Sequence, residues 1–179
     1  MVLSNTLKSA HSSNSISIFL VDDDSVFLKS LEYHLQHRLK YIYKIKSFLK
    51  GEECLESLNQ KPDIVILDYR LDGNDPQAKN GIEILKKIKD VNPETEVIML
   101  SGHEKTDVAI ETIKNGAYDY IIKNENVFMK IQCTLRNVIN SIKSRRQIKT
   151  YTNLAKVFIT AIVIVSTIIL IMKWLVLIK

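Results

Sequence analysis

Proline, glycine and cysteine are all scarce in this chain, numbering three, five and two among 179 residues, and aromatic residues make up only 7%. So little Pro and Gly beside 46% hydrophobic residues excludes a collagen-like or generally disordered chain, and leaves enough apolar side chain for a packed core. Cys54 and Cys133 form no CxxC pair and have no neighbouring pair of histidines, which argues against a disulfide framework or a zinc site. Both are expected as buried, reduced thiols in a cytosolic domain. Residues 1–15 are rich in Ser and Asn and lack the apolar run of a signal peptide, so a flexible leader is expected there.

A further absence divides the chain. No acid follows Glu125, so all 20 Asp and Glu lie at or before it. Sixteen of the 25 Lys and Arg share that portion, which carries −4, while the remainder has nine bases and carries +9. The basic balance therefore belongs to the C-terminal part. The length suits one domain of ordinary size plus a tail, and no internal repeat is visible.

From Ile16 onward short apolar runs alternate with amphipathic stretches. The runs are Ile16–Val21, Tyr41–Phe48, Asp63–Leu67, Glu96–Leu100 and Tyr118–Ile122. IFLV, IVILD and VIML are almost continuously apolar, as strands buried on both faces require. Between them Phe27, Leu28, Leu31 and Leu35 form a helical stripe, as do Ile84, Leu85 and Ile88, and then Ala109, Ile110 and Ile113. Gly51, Pro62, Gly81, Pro93 and Gly116 fall at the junctions. Five strands alternating with helices predict a doubly wound α/β fold with a parallel sheet covered on both faces.

Ligands of such a sheet bind beyond the carboxyl ends of the strands. Strand one ends in Asp22, Asp23 and Asp24, strand three in Asp68 and strand four in Ser101, while strand five runs into Lys123. Asp24 or Ser25 doubles as the cap of the following helix. Clustered carboxylates repel unless a cation neutralises them, and an all-oxygen set suits Mg²⁺. A carboxylate is a competent nucleophile for forming an aspartyl phosphate. The transferring phosphoryl oxygens then need metal on one side and an ammonium on another.

The segments FLVDDDSVFL, PDIVILDYRL, VIMLSGHE and NGAYDYIIK resemble, in order and spacing, the response-regulator receiver family of two-component signalling, whose fold is flavodoxin-like (CheY-like). The resemblance covers residues 16–140. It implies a domain that takes a phosphoryl group from a histidine kinase or phosphotransfer protein, with Mg²⁺, and is no enzyme beyond its own phosphotransfer and dephosphorylation. By position it implies Asp68 as acceptor and Asp23 as direct metal ligand. Asp22 would act on the metal through water, and the backbone carbonyl of Arg70 would complete the set. Lys123 would pair with phosphoryl oxygens, and Ser101 and Tyr120 would form the coupled switch pair. One departure stands out: Asp72 occupies the position where the family has Pro, and the loop LDGNDPQAKNG is several residues longer. Asp72 and Asp75 there read as polar surface residues. Arg70 and His103, flanking the approach of hydrolytic water, are expected to tune the lifetime of the phosphorylated state.

Two other readings compete. VDDDSV also fits the DxDx[TV] start of haloacid-dehalogenase-like phosphatases, with Asp22 as nucleophile and Asp24 as acid/base. That fold needs further acids after its lysine, where only Glu125 follows, and it leaves Asp68 without a task. The other is a receiver-shaped membrane scaffold that docks a partner without being phosphorylated.

The tail reads VFITAIVIVSTIILIMKWLVLIK. Residues 157–178 hold no charge except Lys173 and no Gly or Pro, and about 22 helical residues span ~33 Å, enough to cross a bilayer core. Apolar side chains surround this helix on every side. Lys173 lies close enough to its end to snorkel, and Trp174 suits the interface. Residues 141–156 read as a basic juxtamembrane helix or linker, whose Lys143, Arg145, Arg146, Lys149 and Lys156 would hold that flank on the cytoplasmic side of the inner membrane. No nucleic-acid role is expected, since the basic stretch lacks interleaved aromatics and leaves no room for a helix-turn-helix output domain. A homodimer through the face carrying Ser101 and Tyr120, and a downstream protein partner, are the expected routes of output.

Overall fold

The structure is a computed structural model that describes residues 15–38, 43–71, 80–102 and 105–177, the side chains of Tyr43 and of 173–177 excepted. Asp72, Asp75 and His103, and the side chains of Lys173 and Trp174, lie outside the described set. The chain divides into two compact units, Met1–Val138 and Ile139–Lys179.

In the first unit the strands are β1 (Ile16–Val21), β2 (Tyr43–Phe48), β3 (Ile64–Asp68), β4 (Glu96–Ser101) and β5 (Asp119–Ile122). The helices are α1 (Ser25–Arg38), α2 (Gly51–Glu56), α3 (Gly81–Val91), α4 (Thr106–Lys114) and α5 (Val127–Leu177), with a 3₁₀ turn at Leu58–Gln60. All strand pairs are parallel, in the order β2-β1-β3-β4-β5. This is the doubly wound five-stranded sheet the alternation predicts. The order reverses at β1, so the carboxyl ends of β1 and β3 lie side by side at the switch point, with Val21 in register with Leu67.

Burial of β3 is complete along its length, which explains why IVILD shows no alternation. One face of the sheet presents Phe19, Val21, Val65, Leu67, Val97 and Met99 to Cys54, Ile84, Leu85 and Ile88 from α2 and α3. The alternate residues Ile18, Leu20, Ile64, Ile66 and Ile98 are equally buried, as are Leu28, Leu31 and Leu35 of α1 and Ile131 and Leu135 of α5. Helices α1 and α5 meet through Phe27 and Phe128, 5.5 Å apart.

Two expectations require correction. The stripe Ala109–Ile110–Ile113 does not face the core: Ile110 and Ile113 are half exposed, and Thr112 is the buried residue of α4. Cys133 is exposed, on the outer face of α5, and only Cys54 is buried. The cap of α1 falls, as expected, on one of the two candidates: Asp24, whose Oδ1 accepts the N–H groups of Val26 (2.8 Å) and Phe27 (3.1 Å).

In the second unit, the described residues from Ile139 onward belong to α5. From Val157 to Met172 every side chain is exposed. The stretch Val127–Met172 is, among the described residues, the one helix long and apolar enough to cross a membrane by length and composition.

Candidate functional site

Asp22, Asp23 and Asp68 come together where β1 and β3 end, and each offers a carboxylate oxygen within 4.8 Å of the others. Asp22 and Asp68 are buried and Asp23 is exposed. Their placement follows from the chain. The apolar runs IFLV of β1 and IVIL of β3 end side by side, so the acid that follows each emerges at the same edge. Asp22 is fixed further by its own backbone, because its N–H donates to the Phe48 carbonyl (3.2 Å) and its Oδ1 accepts the Asp24 N–H (3.0 Å).

Lys123 closes the site. Its backbone N–H donates to the Ser101 carbonyl (2.7 Å), carrying the residue just past β5. Its Nζ then reaches Asp22 Oδ2 at 2.7 Å and Asp68 Oδ1 at 2.9 Å. One ammonium thus bridges the acids of two strands.

The electrostatics follow from burial. Desolvation pushes the Asp68 carboxyl up to about 6; Lys123 opposes the rise, and the charges of Asp22 and Asp23 add to it. Asp22 is also raised, by burial first, against the pull of Lys123. Burial disfavours the charged Lys123 ammonium, but Asp68 and Asp22 outweigh that and hold it above the ordinary lysine range. One cation facing three carboxylates leaves the cluster short of positive charge. The donors are hard oxygens on rigid strand ends, a set that fits Mg²⁺.

The other expected residues stand around this centre. Ser101 is buried at the end of β4, in register with Ile122. Tyr120 is half-buried on β5 and packs against the core. Arg70 follows β3 with an exposed side chain. The start of α3 abuts this loop: the Gly81 N–H donates to the Tyr69 carbonyl at 2.8 Å. A Cβ at Gly81 would lie 2.4 Å from the Asp68 carbonyl oxygen, so no larger residue fits without moving backbone. Phe27 belongs to the site as well, its ring lying 4.6 Å from Lys123 Nζ. The sequence placed it only on the apolar stripe of α1; its position about one helical turn after the acids was the signal that it faces them.

The profile of the response regulator receiver domain matches residues 18–130, which hold the whole sheet from Ile18 on and every residue of the cluster. This chain belongs to the response regulator receiver family. Similar sequences are found among transcriptional regulators. The chain is 33% identical over 129 residues to the transcriptional regulatory protein ZraR of Klebsiella oxytoca, covering 72% of this chain and 27% of that protein. Identity to the DNA-binding transcriptional regulator NtrC of Escherichia coli K12 is 34% over 108 residues, covering 59% of this chain and 21% of that one. The chain therefore spans about a quarter of the length of these curated relatives. Among solved structures, the beryllofluoride-activated DrrB receiver domain is 30% identical with a TM-score of 0.56, covering 68% of this chain and 98% of that one. The receiver domain of a Vibrio parahaemolyticus LuxO repressor shares the fold at 21% identity and a TM-score of 0.66, covering 75% and 97%.

Proposed function

We propose that this receiver is a phosphoacceptor: Asp68 takes a phosphoryl group from a histidine kinase or phosphotransfer protein. The observation that carries the reading is the bridge of Lys123 Nζ between Asp68 and Asp22 beside the exposed carboxylate of Asp23. An Asp68 oxygen attacks phosphorus, and the bond from phosphorus to the donor's imidazole nitrogen breaks with its electron pair going to that nitrogen. As Asp68 gives up its charge, Lys123 exchanges its contact there for a phosphoryl oxygen. The buried Ser101 hydroxyl donates to a second phosphoryl oxygen, and Tyr120 turns inward behind it. Asp23, Asp68 and the Arg70 carbonyl would hold Mg²⁺, with Asp22 acting through water. The ion would neutralise the carboxylates and the incoming phosphoryl oxygens. Arg70 and His103 are assigned to tuning the phosphate lifetime.

The phosphatase reading, with Asp22 as nucleophile, is disfavoured by geometry. Both Asp22 oxygens are engaged, one by Lys123 and one by the Asp24 N–H, and Asp24 is committed to capping α1. The unphosphorylated scaffold is separated by experiment: with a small phosphodonor and Mg²⁺ the chain becomes labelled, and Asp68→Ala abolishes the label. An unlabelled wild type would leave the scaffold.

Residues 157–178 are proposed as a single membrane span that holds the receiver on the cytoplasmic face of the inner membrane, with 141–156 as its basic flank. Among its described residues, the polar side chains are satisfied within the helix, as lipid requires. Thr160, Ser166 and Thr167 donate to the carbonyls of Val157, Val163 and Ile164 at 2.8, 2.8 and 2.7 Å. The protein should resist alkaline extraction from membranes; release into the soluble fraction would remove the anchor. The resulting output is a signal delivered at the membrane to a protein partner or a second copy.

A further inference from the structure

Among the described residues, Lys123 Nζ has three close neighbours: Asp22 Oδ2, Asp68 Oδ1 and the face of Phe27. The first two change during the proposed reaction. Asp68 loses its charge on bonding phosphorus, and a bound cation would compete with Lys123 for the charge of Asp22. The ring changes in neither respect. It attracts the ammonium through its quadrupole and accepts no strong hydrogen bond, so the lysine N–H groups stay available to oxygens.

The ring is itself held. The Phe27 N–H lies on the Asp24 cap at 3.1 Å. Its ring packs on Phe128 at 5.5 Å, and Phe128 stacks on His34 at 5.5 Å with an interplanar angle of 30°. His34 Nε2 in turn meets Gln132 Oε1 at 3.2 Å, and Gln132 is buried. A row from α1 and the first turns of α5 thus ends on the lysine of the site. We propose that Phe27 is a positioning residue for phosphoryl transfer, its ring face holding Lys123 Nζ over the acceptor while the two carboxylate contacts exchange. This rests on the phosphoacceptor reading of Asp68.

The test uses the full chain in lipid nanodiscs, with acetyl phosphate and Mg²⁺, and records the labelling rate at saturating donor and the Mg²⁺ concentration for half-maximal rate. Phe27→Leu keeps an apolar side chain but has no π face. It should slow labelling roughly threefold to thirtyfold, the scale of a cation–π contact, with the half-maximal Mg²⁺ little changed, and Phe27→Tyr should restore the rate. In a Lys123→Gln background, Phe27→Leu should have no further effect. Phe128→Leu, which leaves Phe27 intact, should give a smaller fall in the same direction, and keeps the test valid if Phe27→Leu does not fold. A Phe27→Leu protein as fast as wild type, or slowed equally with and without Lys123, would overturn the proposal while leaving Asp68 as acceptor. Absence of label in the wild type would overturn both.

Discussion

Helices α3 and α4 carry apolar residues at similar spacing, yet one is locked into the core and the other is barely seated. In α3, Ile84, Leu85 and Ile88 are fully buried, and Gly81 lets the helix start directly against the Asp68 carbonyl. In α4, Ile110 and Ile113 remain 48% and 49% exposed, and the buried position goes to Thr112, whose hydroxyl has no partner. The helix beside Asp68 is held by tight apolar packing. The helix that follows Ser101 is held by little apolar burial and includes a buried polar group at a cost. Such a contrast suits the proposed reaction, in which Asp68 stays fixed while Ser101 moves toward the phosphoryl group.

The comparison can be broken most sharply at Leu85. Leu85→Ala, at a fully buried position, should cost about 2–5 kcal/mol in urea unfolding followed by circular dichroism. A loss no greater than that of an α4 substitution would erase the distinction.

Asp68 gives the next largest effect. Its carboxyl is raised from 3.8 to about 6, so the folded chain binds that proton more tightly than the unfolded one. The resulting stabilisation is fully present below the unfolded value and is lost as pH rises through about 6. Metal-free Asp68→Asn should therefore be more stable than wild type near neutral pH, by on the order of 1–3 kcal/mol, with the advantage shrinking as pH falls below about 6. Melting curves across that range, without and with Mg²⁺, would show it. A variant less stable at neutral pH would reverse the sign.

On the α4 side, Thr112→Val removes a buried, unpartnered hydroxyl and should stabilise by about 1 kcal/mol. Destabilisation would mean the hydroxyl is satisfied in solution. The smallest change is expected for Ile113→Ser, within about 0.5 kcal/mol in the same unfolding assay. A larger loss would show that this face is covered.

Much of this was legible from residues alone. The runs IFLV, IVILD and VIML read as buried parallel strands, with acids after the first and in the second, Ser101 after the third, and Lys123 after the fifth strand. What escaped was orientation around helices. The apolar spacing of Ala109, Ile110 and Ile113 is correct for a helix, but spacing names a stripe without saying which stripe the neighbouring elements cover. The same blindness hid Phe27, read as core on α1, and placed Cys133 inside. The bridge by Lys123 was legible as a type of residue at a strand end, but the sharing of one ammonium between Asp22 and Asp68 depends on the register of β3, β4 and β5.

The central claim is that Asp68 carries the phosphoryl group. Brief treatment with acetyl phosphate and Mg²⁺, then reduction of the acyl phosphate with borohydride, converts an aspartyl phosphate to homoserine, which peptide mass mapping locates. Homoserine is expected at position 68 and nowhere else. Homoserine at position 22, or none at all under conditions where a control receiver is modified, would contradict it.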